Sequence, residues 1–381
     1  MWGFHAPARA GDEPRPRKLG VGGHFFSMPT GIIASFGSPE HHRTSLIRAQ
    51  PGDVDLQKLT LLDELVTDVT SGKVDAAQGA QRVDDIVAAP PRYGVLATTI
   101  CFGLVSGAAS RFFSGGWREA LAATAIGLVL GALSIALKRK EDSRRVFEPV
   151  ASMIAALLAV VLAQYVSPLS IYITTMAGLI VLVPGLTLTT AMTELATREL
   201  VSGTARLMGA VVIFLEIGFG VALGWQARRL LHVPLALTPS QLPEWTLAVA
   251  LVISALSLSV LLRAQVRDFV WILLAGAIGV VGFRSGAFLL GPELGSFLGA
   301  LLVGMTGNLY ARTLNRPSAV PTVPGIMLLV PGSIGFGSLS RFIERDVVSA
   351  VETAFHLSLV AVALVTGLML ANLLSPPRRA L

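Results

Sequence analysis

Charged residues are scarce in this sequence. They make up 14% of its 381 residues, whereas 53% are hydrophobic; an average soluble domain carries about 25% charged residues. This shortage argues against an ordinary soluble domain and predicts a polytopic membrane protein. The chain has a net charge of +6, and its basic excess lies in residues 93–381, which hold 20 Lys/Arg against 13 Asp/Glu. Basic residues spread over loops indicate orientation in a membrane, not a nucleic-acid surface.

Cysteine is almost absent as well. The single thiol, Cys101, excludes a disulfide within the chain and makes a thiolate metal site implausible, so we expect a buried, inert side chain. His41 and His42 stand together in the turn-like stretch GSPEHHR without a nearby cysteine, and we expect a solvated loop more than a metal site. The sequence also lacks the GxxxxGK[ST], GxSxG and HExxH motifs. It therefore predicts no ATP-driven machine, no enzyme, no metal and no cofactor.

The first 92 residues are the least apolar part of the chain. Residues 1–20 are polar, lack the apolar core of a signal peptide, and are predicted to be a disordered leader. Residues 21–92 predict a small cytosolic α+β domain. It combines a hairpin or sheet edge from segments 24–36 and 44–49 with two amphipathic helices, 55–71 and 75–88.

Ten apolar segments follow, each near the roughly 20 residues that a bilayer requires. The first five define a predicted repeat over 93–231 and the last five another over 243–375. The loop KRKEDSRR at 138–145 holds five basic residues. Placing it in the cytoplasm predicts a multi-pass membrane protein with both termini in the cytoplasm. The segments are 94–113, 118–137, 147–166, 169–195, 204–225, 245–263, 268–284, 293–311, 319–341 and 350–373.

Two Pro-Gly pairs interrupt the fourth and ninth segments. Pro331-Gly332 follows Pro184-Gly185 by 147 positions, and the same offset places Gly325 on Gly178 without a gap. The match continues downstream, where RDVVS at 345–349 falls on RELVS at 198–202. The sequence thus predicts two inverted five-helix repeats with broken helices 4 and 9, because an odd number of spans reverses the second half. A mere kink at each pair is the alternative.

A polar face follows the first break. One helical face carries Thr187, Thr190, Glu194 and Thr197, and another carries Thr189 and Thr193. The start of the half-helix suits a carboxylate and Glu194 an ammonium group, so we expect a small zwitterion between the two breaks. Hydroxyls bonded back to their own helix, or to a neighbouring helix, are the alternative. The predicted substrate-binding residues are Pro184, Gly185, Thr187, Thr189, Thr190, Glu194, Asn308, Pro331, Gly332 and Ser333.

Three further ionisable residues lie within predicted spans. Glu216 is an isolated acid in the middle of the fifth span, and such a group marks a proton or ion path by default. A protonated Glu216 bonded to a neighbour is an equal alternative. Glu352 and His356 lie one turn apart in the last span and form a second candidate proton relay.

Several stretches resemble the signature of the threonine/serine exporter family. They include LVPGLTLTTAMTELATRELVSGTARL, FFSMPTGIIASFG, APPRYGVL and VPTVPGIMLLVPGSIGFGSL, and the resemblance extends over about residues 20–375. It implies a ten-helix carrier of the inner membrane that exports L-threonine and L-serine with the proton gradient. The matching motif positions are Pro184, Gly185, Thr187, Thr189, Thr190, Glu194 and Gly203.

Other functions stay open at this point. Relatives split across two chains resemble dicarboxylate exporters, so a succinate-like anion is the nearest rival substrate. A membrane sensor or scaffold, and a channel, are the other possibilities. The expected partners are the small-molecule substrate, protons and the lipid bilayer, without nucleic acid, and a homo-oligomer is possible.

Overall fold

The computed structural model describes residues 23–38, 41–48, 52–137, 146–166, 168–232, 242–329, 336–338, 341 and 346–377. The predicted leader, the basic loop 138–145, and Pro331, Gly332 and Ser333 at the second break lie outside these residues. Within them the chain is a polytopic helical membrane protein preceded by a small α+β region, as the sequence predicts. The domain boundaries stay predictions.

The N-terminal region, which we define as residues 23–89, holds an antiparallel sheet of strand order β1-β2-β3. The apolar segment 24–36 contributes two strands to this sheet, because the chain turns at Pro29 and Thr30 and pairs Met28 with Gly31. Proline cannot donate to a ladder and is suited to such a turn. The elements are β1 (Gly23–Met28), β2 (Gly31–Ser38), β3 (His41–Arg48), α1 (Leu56–Thr70) and α2 (Ala76–Ala88).

The two short helices begin where their caps predict. The Asp55 carboxylate accepts a hydrogen bond from the Lys58 backbone N–H, and Asp75 accepts one from the Ala77 N–H. Both are typical N-cap bonds. The predicted limits of α1 and α2 are therefore confirmed to within one residue.

Seven described helices are long and apolar enough to cross a bilayer, and two further apolar helices are shorter. The remaining predicted span, the fourth, consists of two short helices, α6 and α7. The membrane helices are α3 (Val95–Phe112), α4 (Trp117–Leu137), α5 (Phe147–Tyr165), α6 (Ile171–Gly178), α7 (Gly185–Ala196), α8 (Leu200–Leu231), α9 (Trp245–Leu261), α10 (Phe269–Leu290), α11 (Pro292–Leu314), α12 (Ala319–Leu329) and α13 (Val347–Leu374).

The first helices of the two predicted repeats, α3 and α9, lie side by side and run antiparallel. Tyr93, just before α3, donates from its hydroxyl to the Ala264 carbonyl after α9, at 2.8 Å. At the other end, Arg111 of α3 donates from Nε to Thr246 Oγ1 of α9, at 2.7 Å. Two helices that correspond in sequence thus point in opposite directions.

The third and fifth helices of each half approach closely at equivalent glycines. A methyl group at Gly220 of α8 would collide with the Pro149 carbonyl of α5, and one at Gly367 of α13 would collide with the Phe297 carbonyl of α11. Gly367 follows Gly220 by 147 positions. Such contacts between small residues allow membrane helices to pack backbone against backbone.

One turn further along, the glycine at the close contact lies on the fifth helix in the first half and on the third helix in the second half. In the first half Gly224 of α8 faces the backbone N of Leu157 on α5. The positions 147 residues later are Ala371 of α13 and Gly304 of α11, which touch each other. Both halves therefore have the close approach, but the glycine lies on α8 in the first half and on α11 in the second.

The caps of the two long fifth helices also correspond. Glu199 precedes α8, and Asp346, 147 positions later, precedes α13. Hydrogen bonds from the Ser349 side chain and backbone N–H lower the pKa of the Asp346 carboxyl. An acid at a helix N-terminus is stabilised by the partial positive charge of that end.

The N-terminal region and the segment after α13 contact the same end of the helix bundle. Ser202, at the start of α8, donates to the Ser27 carbonyl of β1 at 3.1 Å, and the Leu56 N–H of α1 donates to the Leu262 carbonyl after α9 at 2.9 Å. Arg312, near the end of α11, donates to the Pro376 carbonyl. For these segments to lie at one end, successive spans must run in opposite directions through the bundle.

Candidate functional site

The first Pro-Gly pair separates two helices and is more than a kink. Helix α6 ends at Gly178, the chain turns through 179–183, and α7 begins at Gly185 with Pro184 as its N-cap residue. Pro184 and Gly185 are buried. The freed Gly178 carbonyl accepts a hydrogen bond from the Ser106 hydroxyl of α3 at 3.3 Å. The break predicted in the fourth span is thereby confirmed, and a neighbouring helix partners one of its backbone groups.

The hydroxyls after the break bond to their own helix. Thr189 donates to the Gly185 carbonyl at 3.0 Å, Thr190 to Leu186 at 2.9 Å, and Thr193 to Thr189 at 2.9 Å. This is the alternative that the sequence left open. These bonds still leave the threonines able to bind a solute, because a hydroxyl that donates its hydrogen keeps oxygen lone pairs that accept hydrogen bonds. Such oxygens suit an ammonium or hydroxyl group of a ligand.

Three of these threonines line a cavity between α7, α12 and α13. Its volume is about 10 Å³, roughly the room that one water molecule needs. Ligand pockets usually range from about 300 to 1,000 Å³, so binding a solute here requires the helices to separate. The lining residues in the described part of the chain are uncharged: Leu186, Thr189, Thr190, Thr193, Thr322, Val323, Ile326 and Leu368.

Thr322 is a lining residue that the sequence reasoning missed. It belongs to α12, the helix before the second break, and lies opposite the threonines of α7. The offset of 147 places it on Thr175 of α6. Extending the repeat alignment upstream would have found it, because both threonines precede a break at the same spacing.

Other predicted substrate residues are not among those that line the cavity. Thr187 is half-buried beyond the lining of the cavity. Asn308 is buried between helices, where its Nδ2 donates to Asn372 Oδ1 at 2.9 Å and to the Ala371 carbonyl at 3.3 Å. That geometry ties α11 to α13. A substrate contact for either residue stays a prediction.

The Glu194 carboxylate already has a cationic partner. Arg206 of α8 donates from Nε to both carboxylate oxygens, at 2.8 and 3.0 Å, and the two side chains are 19% and 21% exposed. Glu194 does not line the cavity. It would bind the ammonium group of a solute only after Arg206 had moved away. The predicted ammonium role therefore competes with a structural role in joining α7 to α8.

Exchanging the two charges separates these roles. We expect Glu194→Gln to impair transport, whereas the double variant Glu194→Arg with Arg206→Glu restores much of it if the pair only joins the helices. Half-buried ion pairs are sensitive to removal of one partner because the other charge is left uncompensated. The measurement is export rate at matched membrane levels. A dead double variant with normal membrane levels would instead favour direct binding of a solute cation by Glu194.

The predicted proton residues are placed apart from one another. Glu216 is half-buried on α8, near enough to Glu148 at the start of α5 for mutual repulsion. His356 on α13 bonds Glu293 of α11, with 2.7 Å between Nδ1 and Oε1. The predicted partner of His356 was Glu352, which is exposed; the observed partner is Glu293. Sequence spacing cannot reveal a partner that comes from another helix.

A buried polar cluster was also missed by the sequence reasoning. Asp268, before α10, is 1% exposed, and its Oδ1 accepts from the Tyr310 hydroxyl at 2.9 Å and from Arg316 NH1 at 3.1 Å. Asp268 Oδ2 has no partner within the described residues. The cluster lies at the same end of the bundle as the N-terminal region.

Together, the described spans, the broken helix and the threonine cavity define a polytopic helical membrane protein. The family comparison makes the assignment specific. Residues 16–227 match the family described as "Putative threonine/serine exporter", and residues 247–374 match "Threonine/Serine exporter, ThrE". The chain belongs to the threonine/serine exporter family, which confirms the resemblance seen in its motifs.

Curated relatives include fungal membrane proteins. Pheromone-regulated membrane protein 10 of Yarrowia lipolytica is 27% identical over 355 residues, covering 87% of this chain and 28% of the relative. The protein of the same name from Eremothecium gossypii is 26% identical over 330 residues, covering 84% and 44%. The chain thus spans less than half the length of these relatives. No solved structure matches it.

Proposed function

We propose that this protein is a secondary active transporter that exports L-threonine and L-serine by proton antiport. The observation that carries the proposal is the cavity between the broken-helix segment α7 and helix α12, with four threonine oxygens in its lining. Family membership supports a small amino acid as the solute, and the sequence lacks an ATP-binding motif that would power transport directly.

The chemistry of the lining favours a zwitterion. The donors of Thr189, Thr190 and Thr193 are occupied, so their oxygens offer acceptors to an ammonium or hydroxyl group. The start of α7 lies beside the cavity, because Leu186 is a lining residue, and its backbone N–H groups suit a carboxylate. A dicarboxylate such as succinate would require cationic neighbours, and none of the described lining residues is charged.

The repeat pattern supports a carrier more than a scaffold or sensor. Corresponding helices α3 and α9 run antiparallel, and equivalent glycines form equivalent close contacts in both halves. We infer two inverted five-helix repeats, the arrangement in which many secondary transporters rock one element against another around a central site. Opening and closing of the cavity between α7 and α12 fits such a motion.

For proton coupling we propose two candidate positions. Glu216 lies in a membrane span beside another acid, Glu148, and His356 is bonded to Glu293. An ionisable group inside a membrane span is costly and usually functional. Glu352 remains the weaker candidate because His356, its predicted partner, bonds Glu293 instead.

We further propose that the protein lies in the cytoplasmic membrane with both termini in the cytoplasm. The N-terminal region contacts the segments after α9 and before α12, and the segment after α13 contacts the end of α11. All lie at one end of the bundle, which agrees with the sidedness derived from the basic loop 138–145.

Counterflow in proteoliposomes tests the function. Vesicles loaded with unlabelled L-threonine should accumulate radiolabelled L-threonine or L-serine, and an imposed pH gradient should enhance this accumulation. Labelled succinate provides the comparison for a dicarboxylate. Liposomes with a Thr190→Val, Thr322→Val double variant serve as a matched control for leakage.

The outcomes distinguish the alternatives. Counterflow with succinate alone would replace the amino acid by a dicarboxylate, and binding without any flux would favour a sensor or scaffold. A flux that neither saturates nor responds to a countergradient would indicate a channel. Threonine counterflow without an effect of pH would retain the carrier but remove proton antiport.

A further inference from the structure

Helix α1 of the N-terminal region is packed into the membrane part of the protein. The Leu56 side chain is 1% exposed although it opens a helix of the polar region. Its backbone N–H donates to the Leu262 carbonyl at 2.9 Å. Leu56 belongs to a cluster of buried apolar residues that extends through α3, α9, α10 and α12 and the segment after α9: Val105, Ala255, Leu258, Leu262, Ala264, Ile272, Ala319 and Val323.

One of these residues connects α1 with the cavity. Val323 belongs to the same apolar cluster as Leu56 and also lines the cavity beside Thr322. Helix α12 therefore presents one part of its surface to the N-terminal region and another to the cavity. A shift of α12 away from α1 would move Thr322 relative to the threonines of α7, because the same short helix carries both contacts.

Charged side chains also connect α1 with the segment just before α12. The Glu64 carboxylate of α1 lies 3.9 Å from Arg267 and 4.0 Å from Arg316. Arg316 lies three positions before α12 and bonds the buried Asp268 at 3.1 Å, to which Tyr310 also donates. Exposed pairs contribute little, whereas loss of one partner from a buried pair leaves a costly charge. Asp268 thus fixes Arg316, and Glu64 joins that anchor to α1.

We propose that helix α1 is a positioning element for the cavity. Leu56 and Glu64 hold α12 against α11 and α7, so the N-terminal region sets the spacing of the threonines and with it the affinity for solute. The role in affinity rests on the proposed function; the role in placing α12 does not. The proposal gives the N-terminal region a part in transport without direct contact with the solute.

Thiol labelling tests the placement of α12 directly. Cys101 is the only cysteine, so Cys101→Ala gives a cysteine-free background in which Thr322→Cys reports on the cavity. We expect Leu56→Ala and Glu64→Gln to change the labelling rate by a soluble maleimide at least threefold. Leu56→Met should restore the parental rate, because methionine refills the apolar site.

Two control variants on the same helix keep the test specific. Val66→Ala removes apolar atoms from a side chain that is 39% exposed, and Asp68→Asn removes an acid whose partner, Lys73, belongs to the N-terminal region itself. Both should label like the parent. In the background without the reporter, Leu56→Ala and Glu64→Gln should raise the threonine concentration for half-maximal counterflow severalfold and leave the maximal rate near that of the parent.

Equal labelling rates in Leu56→Ala, Glu64→Gln and both controls would overturn the proposal. If Leu56→Ala does not reach the membrane, Glu64→Gln decides, because its side chain is exposed and its loss leaves the core intact. Protection of the Thr322→Cys reporter by L-threonine tests the proposed function separately. Labelling that responds to α1 without protection by threonine supports the positioning role alone. If threonine counterflow occurs but Leu56→Ala and Glu64→Gln label at the parental rate, the transport function stands and the positioning role of α1 does not.

Discussion

Replacing Gly220 with valine should remove nearly all of the folded transporter from the membrane. A side chain at this position of α8 would collide with the Pro149 carbonyl and the Ser152 hydroxyl of α5. Because a backbone carbonyl cannot rotate away, the helices would have to separate. Overpacking of a core typically costs about 1–3 kcal/mol, and valine adds three carbons, so we expect the upper part of that range. The measurement is monomer recovery and melting temperature in mild detergent.

The matched control is Gly209→Val on the same helix. A methyl group at Gly209 would meet no atom within 4 Å, so this variant tests the change of residue type without the collision. It should accumulate and melt like the parent. Gly367→Val should behave like Gly220→Val, because Gly367 occupies the equivalent place against α11. Normal recovery of Gly220→Val would refute the close packing of α5 and α8.

The sequence predicted features that depend on neighbouring residues in the chain. Proline and glycine act locally, so the break at Pro184-Gly185 could be predicted from the residues themselves, as could the caps at Asp55 and Asp75. The predicted duplication rests on a different signal, an ungapped offset of 147 that relates residues on both sides of the two Pro-Gly pairs. The approximate positions of the long helices could be predicted from the length and apolarity of the segments alone.

Pairings between helices could not be predicted in the same way. The partner of His356 is Glu293, 63 positions earlier, and the acid beside Glu216 is Glu148. Glu194 and Arg206 are close in sequence, yet a break between α7 and α8 separates them, so helical spacing gives no guide. These contacts depend on how whole helices pack, which the apolar pattern of a membrane span leaves almost unspecified.

The role of the threonines illustrates the same limit. A run of hydroxyls after a break predicted either a site or bonding within the helix, and the structure shows the second for Thr189 and Thr190. Bonding within the helix is compatible with lining a cavity. Further lining residues of that cavity, which include Thr322 and Leu368, come from the other half of the chain. The cavity is formed only when both halves of the chain pack together.

Replacing Thr190 or Thr322 with valine should weaken transport of L-threonine without reducing the amount of protein in the membrane. Each change removes an oxygen from the cavity and keeps the shape of the side chain. A hydrogen bond to a charged group contributes about 1.5–3 kcal/mol, which corresponds to an increase of about 10- to 100-fold in the half-saturating concentration. The double variant should show almost no counterflow at low threonine concentrations.

The control for these variants is Thr204→Val on α8. Thr204 donates its hydroxyl to the Leu200 carbonyl four residues earlier, as Thr190 does to Leu186, but it is exposed and outside the cavity. It therefore reproduces the loss of a back-bonded hydroxyl without loss of a lining oxygen. If Thr190→Val and Thr322→Val transport threonine like Thr204→Val, the cavity between α7 and α12 is not the solute site. A selective rise in half-saturation for the two lining variants would assign recognition of the solute to both halves of the chain.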